Sequence, residues 1–451
     1  MTGLPLSHDD ARRAAAAVLD HPGADAVEVV VTGTSRGLTR FANSEIIQST
    51  LCSATEAGVR VVVGGRVASA STDRLDPDDL ARAARRAIEA AGASPVDEEF
   101  PGLPDPGPVG RPEPVMRLDE ATVATDERDR AAAVREILSV TSEGGAAGAF
   151  ETGSYCFAVF NSNGIDCYDA YSRCAASVLA DLDDGTGWGE ASSHSVADVD
   201  VAAVARTAID KARAGHSPAG AVPGDYEIVL EPPAAATLVS FLAGTVGAKA
   251  VIEGQSFLST RCGELVASPS VTVADDARHP DSVGIGFDFE GSPRRRVPVI
   301  DAGRATGPVT DLRTAARLGT EVTGHSSGSV KAGPYAANPV VEAGEQSLED
   351  LIGAVEHGLL VTRFHYANVL DRPTTLLTGM TRDGLFGIEN GEVRGPTRNM
   401  RFTQSVLGAL SAVQGVGAKL LTVPPRYGVF GSAAAPALRI GSFSFTSAAS
   451  P

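Results

Sequence analysis

The segment AVEVVVTGTSRGLTRFANSEIIQ, residues 26–48, contains the first strand pattern of the chain. Its apolar and β-branched residues predict strands that end at the turn residues Asn43 and Ser44. Two more strands follow after this turn. The four strands are predicted near residues 26–33, 37–42, 55–63 and 66–71. The sequence around this turn therefore predicts a small sheet.

Helices flank this sheet on both sides in the sequence. The first is predicted at about 8–19, where Ser7 can serve as the N-cap and Asp10 occupies the third helical position. The second follows Asp76 as its N-cap, with Pro77 at the first helical position. The first part of the chain is therefore predicted to be a helix–sheet–helix unit.

A second unit with a similar order of elements follows. It begins with a predicted helix at about 126–142 and continues with strands that end at Phe160, before Asn161 and Ser162. More strands lead to a closing helix that ends at residues 205–212 (ARTAIDKA). The distance from the opening helix to the Asn-Ser pair is about equal in the two units. Internal duplication and chance similarity both account for this correspondence.

Two segments rich in proline and glycine divide the chain. Residues 94–114 contain seven prolines and are predicted to form an extended linker, and residues 215–224 form a shorter one. The remaining parts span residues 1–93, 115–214 and 225–451. A chain of 451 residues is long enough for each part to have its own core.

In the third part, the sequence predicts mostly short strands separated by glycine and aspartate turns. Its helices are predicted at about 232–248, 347–357 and 402–413. In the second of these, Ser347 is the expected N-cap and Asp350 occupies the third position. The fold class is therefore α+β, with two similar helix–sheet–helix units in an N-terminal α/β region and a C-terminal β-rich domain with a few helices.

The composition limits the function classes. A net charge of −18 argues against binding to nucleic acid or to anionic lipid, because like charges repel. Residues 1–13 contain no apolar run typical of a secretory signal, and the apolar stretch 232–248 is shorter than the ~20 residues that a membrane span needs. The five cysteines form no C-x-x-C pair, which favours reduced thiols. We therefore expect a cytoplasmic protein.

Several segments resemble the TldD/PmbA family. Residues 40–48 (RFANSEIIQ) are similar to the N-terminal signature of that family. In the third part, residues 287–291 (FDFEG) resemble its acidic D-x-E-G segment. Residues 358–362 (GLLVT) and 388–393 (IENGEV) resemble its G-L-x-V-T and I-E-N-G-E-I strands. The order and spacing of these matches cover nearly the whole chain.

Active members of that family carry H-E-x-x-x-H on a helix and a later cysteine that completes a zinc site. The chemistry needs imidazoles to hold the metal and a carboxylate to take a proton from the metal-bound water. Alignment on the preceding strand and proline places Ser240, Phe241 and Thr245 at these positions. Residues 415–419 (GVGAK), where the cysteine is expected, contain none. The sequence therefore predicts no catalytic residue and no metal ligand set.

This pattern resembles the PmbA (TldE) branch, whose members pair with a zinc-bearing TldD subunit. The resemblance implies a non-catalytic subunit of a zinc metallopeptidase complex that acts on small or unfolded peptides. It implies no cofactor in this chain and zinc in a TldD-like paralogue. Two alternatives are an independent peptidase or hydrolase with a non-standard site, and a peptide-binding scaffold, which would fit a homodimer.

Asp288 and Glu290 are candidate binding residues, because two carboxylates spaced two apart on a strand share one face. They could form an acid–base pair or a cation site. An acidic turn before Gly291 is the alternative, and residues 294–296 (RRR) would then neutralise it.

Arg363, His365 and Tyr366 are candidate peptide-groove residues. A strand over this segment places Arg363 and His365 on one face and Tyr366 on the other. His357 is expected to end a helix, up to ~25 Å from His365, which is too far for one metal ion.

Residues 324–328 (GHSSG) match the G-x-S-x-G pattern of serine hydrolases. That pattern works as a nucleophile elbow only when a helix follows it. The glycines and proline that follow in GSVKAGPYAANP argue against a helix. We therefore interpret this segment as a turn.

Overall fold

The computed structural model describes residues 3–106, 112–220, 222–425 and 430–448. Residues 107–111 of the proline-rich linker and residue 221 of the second linker lie outside the described residues. The N-terminal half contains one antiparallel six-stranded sheet with the order β3-β2-β1-β4-β5-β6. Its strands are β1 Ala26–Ala42, β2 Glu45–Val63, β3 Arg66–Thr72, β4 Gly145–Asn161, β5 Asp166–Leu182 and β6 Gly185–Ser193.

The helices of the N-terminal half divide into two similar sets. They are α1 His8–Ala16, α2 Pro77–Ala93, α3 Glu120–Ala124, α4 Glu127–Val140 and α5 Val201–Ala214, with a 3₁₀ turn at Val196–Asp198. Each three-stranded set therefore has a helix before it and a helix after it, and the first strands of the two sets pair with each other. The predicted pair of helix–sheet–helix units is confirmed, and the two units share one sheet.

The predicted break between strands at residues 34–36 is wrong. β1 is continuous because it pairs along almost its whole length with β2 on one side and β4 on the other. Gly33 permits this close packing, since a Cβ there would lie 2.6 Å from the Cys156 sulfur. The turn at Asn43 and Ser44 is confirmed, and both residues have positive φ angles of 51° and 61°.

The C-terminal part is built on an eleven-stranded mixed sheet. Its strands are β7 Gly224–Leu230, β8 Val273–Asp275, β9 Val297–Asp301, β10 Arg304–Ala305, β11 Pro339–Val341, β12 His357–Asp371, β13 Leu376–Glu389, β14 Glu392–Pro396, β15 Met400–Ser405, β16 Val413–Val423 and β17 Ala433–Ala448. β7 lies between β12, which is parallel to it, and β17, which is antiparallel. Strand outweighs helix here, so the α+β class with a β-rich C-terminal region is confirmed.

The helices of the C-terminal part are short. They are α6 Pro232–Ala243, α7 Ala248–Ile252, α8 Leu258–Arg261, α9 Leu312–Leu318, α10 Leu348–Gly353 and α11 Val406–Ser411. The helix predicted over 232–248 ends early because the chain at Val246 and Ala248 bonds to the backbone of Val309. The helix predicted over 402–413 begins late, since Met400–Ser405 pairs with β13. In both cases tertiary hydrogen bonds override local helix propensity.

Aromatic side chains join the two halves of the molecule. Phe157 of β4 lies 5.4 Å from Phe287 and 4.6 Å from Phe289, measured between ring centroids. The buried carboxylate of Asp169 accepts backbone hydrogen bonds from Val115 and from Gly286. These contacts fix the N-terminal sheet against the C-terminal part. Among the described residues, no helix is long and apolar enough to cross a membrane.

Candidate functional site

Helix α6 is the element on which the family's zinc ligands are expected. It follows β7 directly, with Glu231 as N-cap and prolines at its first two positions. Most of its side chains are buried in the C-terminal core, because they are apolar on nearly every face. The helix is thus held rigidly under the cleft described below.

The side chains at the three aligned positions already have hydrogen-bond or packing partners within the protein. The Ser240 hydroxyl donates to the Ala236 carbonyl of its own helix at 2.8 Å. Phe241 is 7% exposed and packs in the core. Thr245 lies beyond the end of the helix and donates to the Leu242 carbonyl at 2.8 Å. In the described part of the chain, no group of three or more His, Cys, Asp or Glu side chains is arranged to hold a metal ion.

Two adjoining cavities lie beside this helix. The larger, of about 540 Å³, is lined by residues that include Lys211, Glu231, Thr362, Ala418 and Lys419. The smaller, of about 230 Å³, includes Ser240 and Arg363. Both cavities share Trp188, Glu190 and Pro233. We call the two together the tryptophan cleft. Ser240 of helix α6 and Ala418 and Lys419 of β16 therefore line adjoining parts of one cleft.

Arg363 is fixed between an acid and an aromatic ring. Its Nε donates to the Asp383 Oδ2 at 2.7 Å, and its guanidinium carbon lies 3.7 Å from the centre of the Trp188 ring. Stacking on an indole favours a guanidinium because of the ring quadrupole. This arrangement gives the cleft a flat wall that is partly apolar and partly cationic.

Replacing Arg363 with methionine leaves the Asp383 carboxylate, which is 3% exposed, without its main cation. We expect a loss of about 2 kcal/mol in the free energy of unfolding, because a buried charge without its partner is costly. Denaturant titration measures the change. Arg394→Met, which removes a surface ion pair with Glu392, is the control and should change stability by less than about 1 kcal/mol. Equal effects of the two substitutions would contradict the assigned role of Arg363.

Further charges lie around Trp188. Burial raises the pKa of Glu190, and the nearby Trp188 and Arg363 partly offset the rise. The Lys211 Nζ forms an ion pair with Glu231 and donates to the Thr362 Oγ1 at 2.9 Å. The cleft therefore presents both signs of charge next to apolar surface.

Of the three predicted groove residues, the structure brings Arg363 into this cleft. His365 and Tyr366 lie further along β12 and do not line either cavity of the tryptophan cleft. Tyr366 is 74% exposed and has a φ of 49°, at an irregularity in the pairing of β12 with β13. Burial lowers the pKa of His365, and the neighbouring cations Arg382 and Arg363 lower it further.

His357 does not end a helix as predicted. Helix α10 stops at Gly353, and His357 is the first residue of β12. His357 is exposed, and both histidines belong to one strand.

Asp288 and Glu290 lie in an acidic turn before Gly291, as one of the two sequence interpretations predicts, and do not share the face of a strand. Asp288 is fully buried, and its carboxylate accepts backbone hydrogen bonds from Glu290, Ser292 and Ser326 at 2.7–2.9 Å. Burial raises the pKa of Asp288 in spite of these bonds. Asp288 therefore holds together two loops of the C-terminal part.

Glu290 faces a separate cavity of about 590 Å³. Burial and the neighbouring Asp288 raise the pKa of Glu290 to about 8. Its nearest cation is Arg60 of β2, whose Nη1 lies 3.9 Å from the Glu290 Oε1, and Arg60 also pairs with the buried Glu28. The expected neutralisation by residues 294–296 reaches Asp288, where burial raises the pKa and Arg294 partly offsets the rise, but not Glu290, because these arginines form ion pairs elsewhere. Their partners are Asp275, Asp276, Glu321 and Glu342.

The segment 324–328 is a turn, as predicted. Gly324 and Gly328 both have positive φ angles, and no helix follows in the described residues up to Asn338. His325 is fully buried, with its Nε2 2.9 Å from the Asp275 Oδ1 and its Nδ1 2.9 Å from the Thr323 Oγ1. This buried chain of polar groups stabilises the turn.

Trp188 and Glu190 are residues that the sequence reasoning missed. Gly185, Gly187 and Gly189 alternate with them on β6, and a Cβ at each glycine would overlap the backbone of α5. Because side chains alternate across a strand, the glycines face the helix and the residues between them face the cleft. The G-x-G-x-G pattern is the signal that could have located this wall of the cleft.

Comparison with family models covers most of the chain. Residues 27–91 match PmbA/TldA metallopeptidase domain 1, residues 104–215 match the PmbA/TldA metallopeptidase central domain, and residues 223–447 match the PmbA/TldA metallopeptidase C-terminal domain.

Curated relatives match at lower coverage. A "Metalloprotease" of Methanothermobacter thermautotrophicus is 25% identical over 197 residues, which are 43% of each chain. The "Metalloprotease TldD homolog" of Buchnera aphidicola is 26% identical over 169 residues, 37% of this chain and 35% of the relative. The chain thus spans less than half of the length of these relatives.

Solved structures share the fold over nearly the whole chain. The crystal structure of TldE from Thermococcus kodakarensis has a TM-score of 0.84 at 20% identity and covers 96% of this chain and 100% of that chain. A crystal structure from Thermotoga maritima has a TM-score of 0.82 at 18% identity, with coverages of 97% and 99%. With three family domains matched in order along its length, this chain belongs to the PmbA/TldD metallopeptidase family.

Proposed function

We propose that this chain is the non-catalytic subunit of a two-subunit zinc metallopeptidase. Its partner is a zinc-bearing, TldD-like sister subunit of the same family, and the complex acts on small or unfolded peptides. The chain itself carries no catalytic residue and no cofactor. The observation that carries this proposal is the occupation of the zinc-ligand positions by Ser240, Phe241 and Thr245.

The surroundings of these positions support the proposal. A zinc site needs deprotonated thiolates, neutral imidazoles or carboxylates. Ser240 uses its hydroxyl within the helix, and Phe241 fills the core. At the position of the missing cysteine, Lys419 would repel a bound cation. A functional zinc site in this cleft would require several simultaneous substitutions.

The tryptophan cleft supports a role in holding peptide. It combines the indole of Trp188 with charged groups of both signs, including Glu190 and Lys211. Aromatic surface together with a few placed polar groups is typical of a binding site. In the proposed complex this cleft orients a peptide whose scissile bond lies at the zinc of the sister subunit.

Co-expression with the zinc-bearing sister tests the proposal. We expect the two chains to co-purify in size-exclusion chromatography and to hydrolyse unfolded peptides, while this chain alone has no activity. A sister variant with glutamine in place of the glutamate of its H-E-x-x-x-H motif is the control, and its complex should form but be inactive. A purified chain that digests peptides without any partner would overturn the proposal.

A further inference from the structure

The outer edge of β2 has no strand beside it over residues 45–56 in the described chain. β3 pairs with β2 only from Ala57 to Val63. Residues 45–56 therefore pair with β1 on one side and leave the backbone groups of the other side unpaired. At the opposite edge of the same sheet, β6 packs against β13 and β16 of the C-terminal part. One edge of the sheet is therefore covered by the C-terminal part, whereas part of the other edge has no neighbouring strand.

The free edge has only one of the features by which soluble proteins protect edge strands, a bulge at Ile47, where the pairing of β1 with β2 shifts between Arg40 and Phe41. Between Glu45 and Glu56 the sequence is IIQSTLCSAT, ten residues without a charge, a proline or a glycine. Single chains usually protect an edge with lysine, proline, a bulge or a short strand. Ile46, Ile47 and Leu51 are exposed here by 38%, 56% and 58%. This edge has the composition of a strand that another chain covers.

We infer that residues 45–56 of β2 bind an extended strand of the sister subunit, so that the six-stranded sheet continues across the interface. This inference rests on the proposed function. Twelve residues of strand span about 40 Å. Their unpaired backbone groups can supply the ~10 hydrogen bonds typical of a specific interface, and the exposed aliphatic side chains add apolar contact area.

Charge favours a sister chain over a second copy of this one. Antiparallel self-pairing over the full edge would place Glu45 opposite Glu56 at both ends, and parallel in-register pairing would place each glutamate opposite itself. Like charges directly opposite destabilise a strand pair. Each copy also carries a net charge of −18. The partner strand is therefore expected to be uncharged in its middle, with neutral or basic residues opposite the two glutamates.

The chain contains a natural reporter of this interface. Cys52 lies in the middle of the free edge and is exposed. Cys262 is also exposed and lies elsewhere, on the C-terminal part, while the other three cysteines are buried. We expect maleimide labelling of Cys52 to be suppressed in the complex with the sister subunit and labelling of Cys262 to be unchanged.

A charge placed in the edge is the matching mutational test. Leu51→Lys should weaken binding of the sister by about tenfold or more, because a charged side chain would be desolvated in the centre of the interface. Leu370→Lys, at a similarly exposed position on β12, is the control and should bind as the wild type does. Thermal unfolding of both variants should match that of the wild type.

The outcomes separate this inference from the proposed function. An active complex in which Cys52 stays reactive and Leu51→Lys binds normally overturns the inference about β2 alone. A chain that forms a homodimer with Cys52 protected overturns the choice of the sister as the occupant. A chain that never binds the sister overturns the proposed function and the inference together.

Discussion

Replacing Glu290 with glutamine is expected to reduce strongly the loss of stability that accompanies a rise in pH. The pKa of Glu290 is about 8 in the folded chain, against the ordinary glutamate pKa of 4.5. Between these values the folded state holds a proton that the unfolded state has released. The stabilising contribution is therefore fully present below pH 4.5 and is lost as the pH rises through about 8.

The size of this effect follows from the difference between the two pKa values. That difference is about 3.5 units, and each unit corresponds to about 1.4 kcal/mol, which gives a total of about 5 kcal/mol. Urea titrations between about pH 4 and pH 9 measure the free energy of unfolding across both pKa values. Glutamine is neutral at every pH and can accept the Leu312 backbone N–H as Glu290 does, so the difference between variant and wild type reports the titration of Glu290 together with its effect on the neighbouring Asp288.

A surface glutamate provides the control for this experiment. Glu321 is 81% exposed in its side chain, and Glu321→Gln should keep the pH dependence of the wild type. If Glu290→Gln also keeps that dependence, Glu290 is ionised throughout and the burial described for it is wrong.

Gly187→Ala is the second substitution with a large expected effect. A Cβ at residue 187 would overlap the backbone of α5 at Ala208 and Ala212, and neither backbone group can move aside alone. We expect a loss of about 3 kcal/mol or more in the free energy of unfolding, because overpacking against backbone displaces whole elements. The displacement would also move Trp188 and thereby alter the tryptophan cleft.

Gly58→Ala is the matched control, since it is also a glycine on the N-terminal sheet. A Cβ at Gly58 meets nothing within 4 Å, and we expect a change of less than about 1 kcal/mol, in the stabilising direction. Thermal and denaturant unfolding measure both variants, and tryptophan fluorescence reports the surroundings of Trp188, the single tryptophan. An unchanged stability and spectrum for Gly187→Ala would contradict the close packing of β6 on α5.

Local structure could be predicted where neighbouring residues make the hydrogen bonds. The Ser7 side chain accepts from the backbone of Asp10, and Ser347 forms the predicted capping box with Asp350. The Asn43–Ser44 turn was predictable because asparagine tolerates the left-handed region. The recognition of the family likewise depended on short segments read in order along the chain.

The tryptophan cleft could not be predicted, because its walls come from distant parts of the chain. The stacking of Trp188 on Arg363 joins residues 175 positions apart, and Arg60 approaches Glu290 across 230 positions. No periodicity indicates which cation faces which acid. From the sequence, Asp288 and Glu290 were candidates for one shared site. In the structure, the buried carboxylate of Asp288 binds backbone groups, and Glu290 lines a cavity separate from the tryptophan cleft.

The most direct test of the proposed non-catalytic role is the zinc content of the purified chain, measured alone and in complex with the proposed sister subunit. The expected result is no stoichiometric zinc in the isolated chain and one zinc per complex, lost when a histidine of the sister's H-E-x-x-x-H motif is replaced. Stoichiometric zinc in the isolated chain, held near Ser240, would contradict a non-catalytic role.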